Sequence, residues 1–212
     1  MGTIDVERNI RDLAIRYSTA LNERVEKRVQ EMEADDKSHY LIYRVLGVTI
    51  EEGNLIDIYQ NKGRFLYRYA GSFLEEAAKL CIASIYPEAG SIRIPNAISQ
   101  RPKTFQVDCL LEDRDAIEIK WRDATTDGDH ITKEHTRMQS IALAGYRPIR
   151  VMFFYPNREQ AQRIQSALQT LYAGAGGAYH HGDAAWQYVA DTTGIDLKTI
   201  LESIAGGEAS NG

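Results

Sequence analysis

The chain has 212 residues, of which 43 % are hydrophobic and 26 % charged, a balance that excludes wholesale disorder and fibrous repeats. No run approaches the ~18 consecutive apolar residues of a membrane span, MGTIDVERNIRD carries no signal-peptide block, and Cys81 and Cys109 are too few for a disulfide framework, so a cytoplasmic protein with reduced, buried thiols is expected. The net charge of -5 argues mildly against nucleic acid, but residues 1–60 and 164–212 each carry -4 while residues 61–100 carry +2 and 101–163 carry +1, so a focused basic cleft is compatible with an acidic whole.

The elements follow from periodicity. Val6, Ile10, Leu13, Tyr17, Leu21 and Val25 recur at three- and four-residue intervals and predict one helix over 5–33. Shorter helices are expected over 38–46 and 54–61, with Gly47, Gly53 and Lys62-Gly63 as breaks. A strongly helical run then extends from Ser72 to Tyr86, with Ser72 and Glu75 spaced as a capping box and Pro87 as the stop. The period changes to two in the middle of the chain: a short strand at 92–94, then Phe105, Val107, Cys109 and Leu111, and, after the turn Glu112-Asp-Arg-Asp115, Ile117, Ile119 and Trp121. These two runs predict an antiparallel hairpin with one apolar and one charged face. A loop over 123–128 leads to a helix from about 131 to 144 for which Asp129 is the candidate cap. PIRVMFFY at 148–155 reads as a strand covered on both sides, and a helix runs from Pro156-Asn157 to Tyr172. The glycine-rich AGAGG turn at 173–177 then leads to two short helices, near 183–191 and 196–205. The pattern predicts a single α/β domain with its core at about 71–172, a helical N-terminal part over 1–61 and a helical C-terminal part over 178–206.

Chemistry concentrates on the hairpin. With its turn centred near Asp113, Asp108 stands opposite Glu118, about 5 Å away between Cα atoms, and Lys120 shares their face. Two carboxylates and an ammonium on an otherwise apolar sheet are costly without a partner. A divalent cation resolves the cost, because Mg²⁺ is commonly held by one or two carboxylates plus water and phosphate. Lys120 would orient an attacking water, stabilise the charged phosphorus or help deprotonate the water; the residue types do not separate these roles.

The stretch TFQVDCLLEDRDAIEIKWRD at 104–123 resembles the PD-(D/E)XK nuclease superfamily, and more particularly the type II restriction endonucleases, with Val107 standing where the motif has proline. Asp108 matches the first aspartate of the motif, Glu118 its second acid and Lys120 its lysine. GSFLEEAAK at 71–79 is similar to the opening helix of that family, whose glutamate joins the metal site; Glu75 is the better match and Glu76 the alternative. The resemblance implies a restriction-endonuclease-like fold, a mixed central β-sheet flanked by helices. It further implies Mg²⁺-dependent hydrolysis of phosphodiesters in double-stranded DNA at a short palindrome, leaving 5′-phosphate and 3′-hydroxyl ends, with Mn²⁺ as a substitute. A homodimer with one active site per strand matches protein symmetry to DNA symmetry; the N-terminal helix or the C-terminal helices would supply the interface.

The segment WRDATTDGDHITKEHTR at 121–137 leaves the site directly and is dense in hydrogen-bonding groups. Arg122, Lys133 and Arg137 suit phosphates, and Asp123, Asp127, Asp129 and His130, with Thr125 beside them, suit base edges; Asp123 and Asp129 suit loop bracing equally well. Arg147 and Arg150, flanking the apolar strand, read as rim charges or phosphate contacts. The adjacent His180 and His181 point apart and do not suggest zinc, and AGAGG lacks the features of a nucleotide-binding loop. Neither a nucleotide cofactor nor a membrane partner is expected. The rival readings are a junction or repair nuclease sharing the site, and a non-catalytic DNA-binding module that would not need all three of Asp108, Glu118 and Lys120.

Overall fold

The computed structural model describes residues 3–123, 125 and 127–208. Its elements in chain order are α1 (Thr3–Glu33), α2 (Tyr40–Val45), α3 (Ile50–Ile85), β1 (Gly90–Pro95), β2 (Thr104–Leu111), β3 (Asp115–Arg122), α4 (Asp129–Leu143), β4 (Arg147–Phe154), α5 (Glu159–Gly174), β5 (Ala178–His181), α6 (Asp183–Thr193) and α7 (Leu197–Glu208). The chain forms two compact units, one of Met1–Arg11 with Leu74–Gly212 and one of Asp12–Phe73.

The larger unit carries a five-stranded mixed sheet in the order β1-β2-β3-β4-β5. β1, β2 and β3 are antiparallel neighbours, whereas β4 and β5 run parallel to β3. This is the mixed sheet flanked by helices that the sequence predicts, including the continuation of the sheet by the 148–155 strand. β5 is the strand that the sequence reading omits. Its four residues follow AGAGG, where no apolar alternation is long enough to signal a strand. Parallel pairing with β4 forms it, and Gly177 makes the approach possible: a Cβ there would lie 2.1 Å from the Pro148 carbonyl oxygen. Gly177→Ala is therefore expected to cost about 2 kcal/mol, because backbone must move to relieve the overlap. Urea unfolding checks this, and an unchanged midpoint would contradict it.

The sheet buries apolar side chains on both faces. Ile149, Val151 and Phe153 of β4 are at most 1 % exposed. Phe153 packs on Trp186 of α6 with ring centroids 4.4 Å apart. On the opposite face Ile94, Val107, Leu110 and Ala116 pack with Ile141 of α4. The grouping of Val107 with Leu110 breaks the expected alternation. The β1/β2 register shifts between Gly90↔Leu110 and Ile92↔Val107, which places an extra residue of β2 around Asp108 and Cys109. Helical cover comes also from Val6 and Ile10 of α1, both fully buried, and from Leu74, Ala77, Ala78, Cys81 and Ile82 along one face of α3.

The smaller unit is built from the rest of α1 and α3 with α2. Arg24 lies over Phe65, Arg28 bonds Asn61, and Tyr17 meets Phe73 and Tyr69 edge-on, so the two helices run antiparallel. The expected breaks in α3 are absent. The helix is continuous over 36 residues and starts at a capping box that the sequence reading overlooked. Thr49 N–H donates to Glu52 Oε2 at 3.0 Å, and Glu52 N–H donates to Thr49 Oγ1 at 3.1 Å. Ser72 lies inside the helix and caps nothing. Gly63 weakens the helix by only about 1 kcal/mol. Gly53 has a packing reason: a Cβ would stand 2.6 Å from the Tyr43 ring.

Candidate active site

The turn places two residues, Glu112 and Asp113, at positive φ and sets the register Cys109↔Ile117, Leu110↔Ala116, Leu111↔Asp115. Continued one step further, this register would set Asp108 opposite Glu118, the pair that the turn-centred arithmetic expects. The paired register ends before them. Instead of a ladder bond, the Ile119 N–H donates to Asp108 Oδ2 at 2.8 Å. The carboxylate thus occupies the point where β2 and β3 part.

The polar face of the hairpin is covered, contrary to the expectation of an open charged face. Asp108 is 8 % and Glu118 2 % exposed. The cover is α4, which lays Arg137 against Glu118. Burial, and then the neighbouring Glu118 charge, push the Asp108 carboxyl up to about 6, against the opposing effects of Lys120 and the Ile119 N–H; the charge of Glu75 pushes in the same direction as Glu118. Asp108, Glu118, Lys120 and Glu75 are therefore electrostatic neighbours. Lys120 is ion-paired with Glu118 Oε1. Glu75, on α3, is paired with Lys79 at 2.5 Å, a cation that the sequence reading missed although it lies one turn beyond Glu75.

Glu118 Oε1 is buried, and the ammonium of Lys120 is its ion-pair partner. Among the described residues no group of three or more His, Cys, Asp or Glu side chains is gathered to hold an ion. The donor set that fits is the pair Asp108 and Glu118, which suits a hard cation that completes its shell with water and phosphate oxygens.

Behind this pair lies a buried polar row. The β3/β4/β5 register aligns Glu118↔Arg150 and Arg150↔Tyr179 on the face covered by α4 and α5. Arg150 is completely buried, which corrects its reading as a rim charge or phosphate contact: it sits mid-strand rather than at the strand's edge. Its Nη1 donates to Glu134 Oε2 at 3.0 Å and its Nη2 to Asp123 Oδ2 at 2.7 Å. Burial opposes its charge, but the surrounding Tyr172, Glu134, Tyr179 and Asp123 hold the proton more firmly than in a free arginine. His130 Nε2 lies 2.8 Å from the same Asp123 oxygen. Burial alone would raise the Asp123 carboxyl; His130 and Arg150 overcome it and keep the group well below the usual carboxylate range. Gln165 donates to the Asp123 carbonyl at 3.3 Å and receives the Tyr179 hydroxyl at 2.7 Å. Removing Arg150 takes its nearest guanidinium from the buried Glu134 and a charged partner from the mostly covered Asp123, so Arg150→Met is expected to destabilise the fold by about 3–5 kcal/mol. A shift of the urea midpoint reads this directly; parent-like stability would contradict the network's role.

The residues singled out for DNA contact divide in two. Asp123, His130 and Arg137 have the internal partners just described. Arg122, Asp127, Asp129 and Lys133 are exposed and Thr125 is half-buried. Among the described residues of this segment, side chains bond the backbone: Thr125 N–H donates to Asp123 Oδ1, Asp127 N–H to Thr125 Oγ1, and Asp129 N–H to Asp127 Oδ1 at 3.0 Å. Asp127, rather than Asp129, is thus the acid that supports the start of α4. Ala124 and Thr126, within the same stretch, lie outside the described residues.

The sheet order, the flanking helices and the acids at the open end of the hairpin define an α/β fold of the restriction-endonuclease type. The chain belongs to the ApaLI-like restriction endonuclease family, a PD-(D/E)XK-type family whose model matches residues 1–206. None of the curated proteins and none of the solved structures matches it. No helix among the described residues is long and apolar enough to cross a membrane.

Proposed function

We propose that the protein is a Mg²⁺-dependent type II restriction endonuclease of the cytoplasm, accepting Mn²⁺ as a substitute. It hydrolyses phosphodiesters in double-stranded DNA at a short palindrome and leaves 5′-phosphate and 3′-hydroxyl ends. The observation that carries this reading is the grouping of Asp108, Glu118 and Lys120 where β2 and β3 part, two buried carboxyls that raise each other's cost with an ammonium paired to one of them, in a chain of that family.

Asp108 and Glu118 would hold the ion, with Glu75 the third acid near it. When bound, Mg²⁺ supplies a more acidic water and offsets negative charge at phosphorus. Lys120, the ammonium beside Glu118, orients the attacking water and stabilises the charge that builds on the phosphoryl oxygens. Ile119 N–H holds Asp108 in one rotamer, so the acid is organised before substrate arrives. Arg122 and Lys133 contact phosphates, and Thr125, Asp127 and Asp129 reach base edges, whereas Asp123 and His130 brace that segment from within. Two copies cut the two strands of a palindrome.

The test is digestion of a long duplex of known sequence with Mg²⁺, followed by mapping of the ends. Discrete fragments with a single motif at every end, 5′-phosphorylated, are expected. Cutting only at branches or lesions would favour a junction or repair nuclease, and binding without cutting would favour a non-catalytic module; either result overturns the proposal.

A further inference from the structure

Beyond the Cys109↔Ile117 pair, β2 and β3 are joined by a side chain rather than by their ladder. Nη2 of Arg137, reaching down from α4, donates both to the Gln106 carbonyl on β2 and to Glu118 Oε2 on β3. Its Nη1 lies 3.8 Å from Glu134 Oε1, and Glu134 is itself held by the fully buried Arg150. The side chain is 17 % exposed. Turning it outward would strip Glu118 Oε2 and the Gln106 carbonyl of their shared donor, leaving the 2 % exposed Glu118 with Lys120 alone, so its geometry does not suit a phosphate contact. The two oxygens of Glu118 are consequently not equivalent: Oε2 is held by Arg137, which the Gln106 carbonyl and Glu134 fix in place, whereas Oε1 is ion-paired with the more exposed ammonium of Lys120.

We infer that Arg137 is a positioning residue that fixes Glu118 through Oε2, so that only Oε1, on the side of Lys120, is presented to a divalent cation. This rests on the nuclease reading above and deepens it. A carboxylate bound through one oxygen leaves the octahedral shell of Mg²⁺ room for water and phosphate. Arg137 has a second, opposing effect, because its fixed positive charge beside Glu118 repels a cation. Its removal therefore relieves repulsion and releases the carboxylate at once, so metal affinity and turnover change in opposite senses. A purely structural arginine would lower both together.

The experiment uses the full chain with Arg137→Met and Arg137→Lys, reading Mn²⁺ binding by calorimetry without DNA and single-turnover cleavage at saturating Mg²⁺. Arg137→Met is expected to bind Mn²⁺ at least as tightly as the parent while cleavage falls about a hundredfold, the cost of a misplaced reacting group. Lysine carries the charge but lacks the planar fork, so Arg137→Lys is expected to bind Mn²⁺ with parent-like affinity and to recover only part of the rate. Parent-like cleavage by Arg137→Met, or affinity and cleavage falling by one common factor, would overturn the inference. Should Arg137→Met fail to fold by circular dichroism, the parent crystallised with Mn²⁺ decides. One Glu118 oxygen on the ion and the other on Arg137 is expected; both oxygens on the ion, or Arg137 turned to solvent, overturns the inference alone. No ion at Asp108 and Glu118 would overturn the nuclease reading together with it.

Discussion

Lys120→Ala is expected to fold, to bind its DNA target and to cleave it at least about a thousandfold more slowly than the parent at saturating Mg²⁺. The side chain is 35 % exposed, so truncation opens no cavity. Glu118 keeps its second cation, Arg137, and is not left as an unpaired buried charge. What disappears is the ammonium paired with Glu118, and with it a preorganised donor for the attacking water and the developing phosphoryl charge. Single-turnover cleavage alongside a gel-shift titration in Ca²⁺ separates the two properties. Parent-like cleavage would remove Lys120 from the reaction, and lost binding with a proportionate loss of rate would make it a DNA contact instead.

Asp108→Asn is expected to abolish metal-supported cleavage and, in the same molecule, to raise stability. Asparagine keeps an acceptor for the Ile119 N–H but removes a buried charge beside Glu118. The folded Asp108 carboxyl is pushed up to about 6 from an ordinary value of 3.8. Its contribution to stability is therefore fully present below pH about 4 and is lost as pH rises through about 6. At pH 7.5, without metal, the parent carries the whole cost, on the order of 3 kcal/mol, so the variant should melt about 8 °C higher. The difference should shrink on acidification between these values and vanish below the lower one. Added Mn²⁺ should stabilise the parent and leave the variant unmoved. A variant that is less stable than the parent at neutral pH would show that Asp108 serves the fold rather than a site.

Much of the frame of this site was legible in the residues. The turn-centred index of the hairpin gives the observed register Cys109↔Ile117, Leu110↔Ala116 and Leu111↔Asp115, because the spacing of a short antiparallel turn fixes register. The apolar run at 148–155 identified β4 because a strand covered on both faces lacks alternation. The misses have physical causes of two kinds. In α3, Gly63 and Ser72 looked like boundaries because local signals were weighed without the burial of Leu74, Ala77 and Cys81 that holds a long helix together; the genuine signal, Thr49 three residues ahead of Glu52, was present.

The polar interior was missed for the other reason, that a charge is read as exposed by default. Arg150 sits inside an apolar strand, and its position alone required a buried partner. His130, Glu134 and Arg137 recur at four and three residues along α4, one helix face, and that face supplied the partners. The same face of α4 covers Glu118. The bulge that regroups Val107 with Leu110 depends on the β1 register, which no period within β2 encodes.

The most direct measurement of the central claim is Mn²⁺ binding followed by electron paramagnetic resonance in the parent, Asp108→Asn and Glu118→Gln. If the two carboxylates share one ion, the parent shows a bound Mn²⁺ signal and each single substitution removes it. Retention of parent affinity in both variants would show that the cation, and the chemistry assigned to it, belongs elsewhere in the molecule.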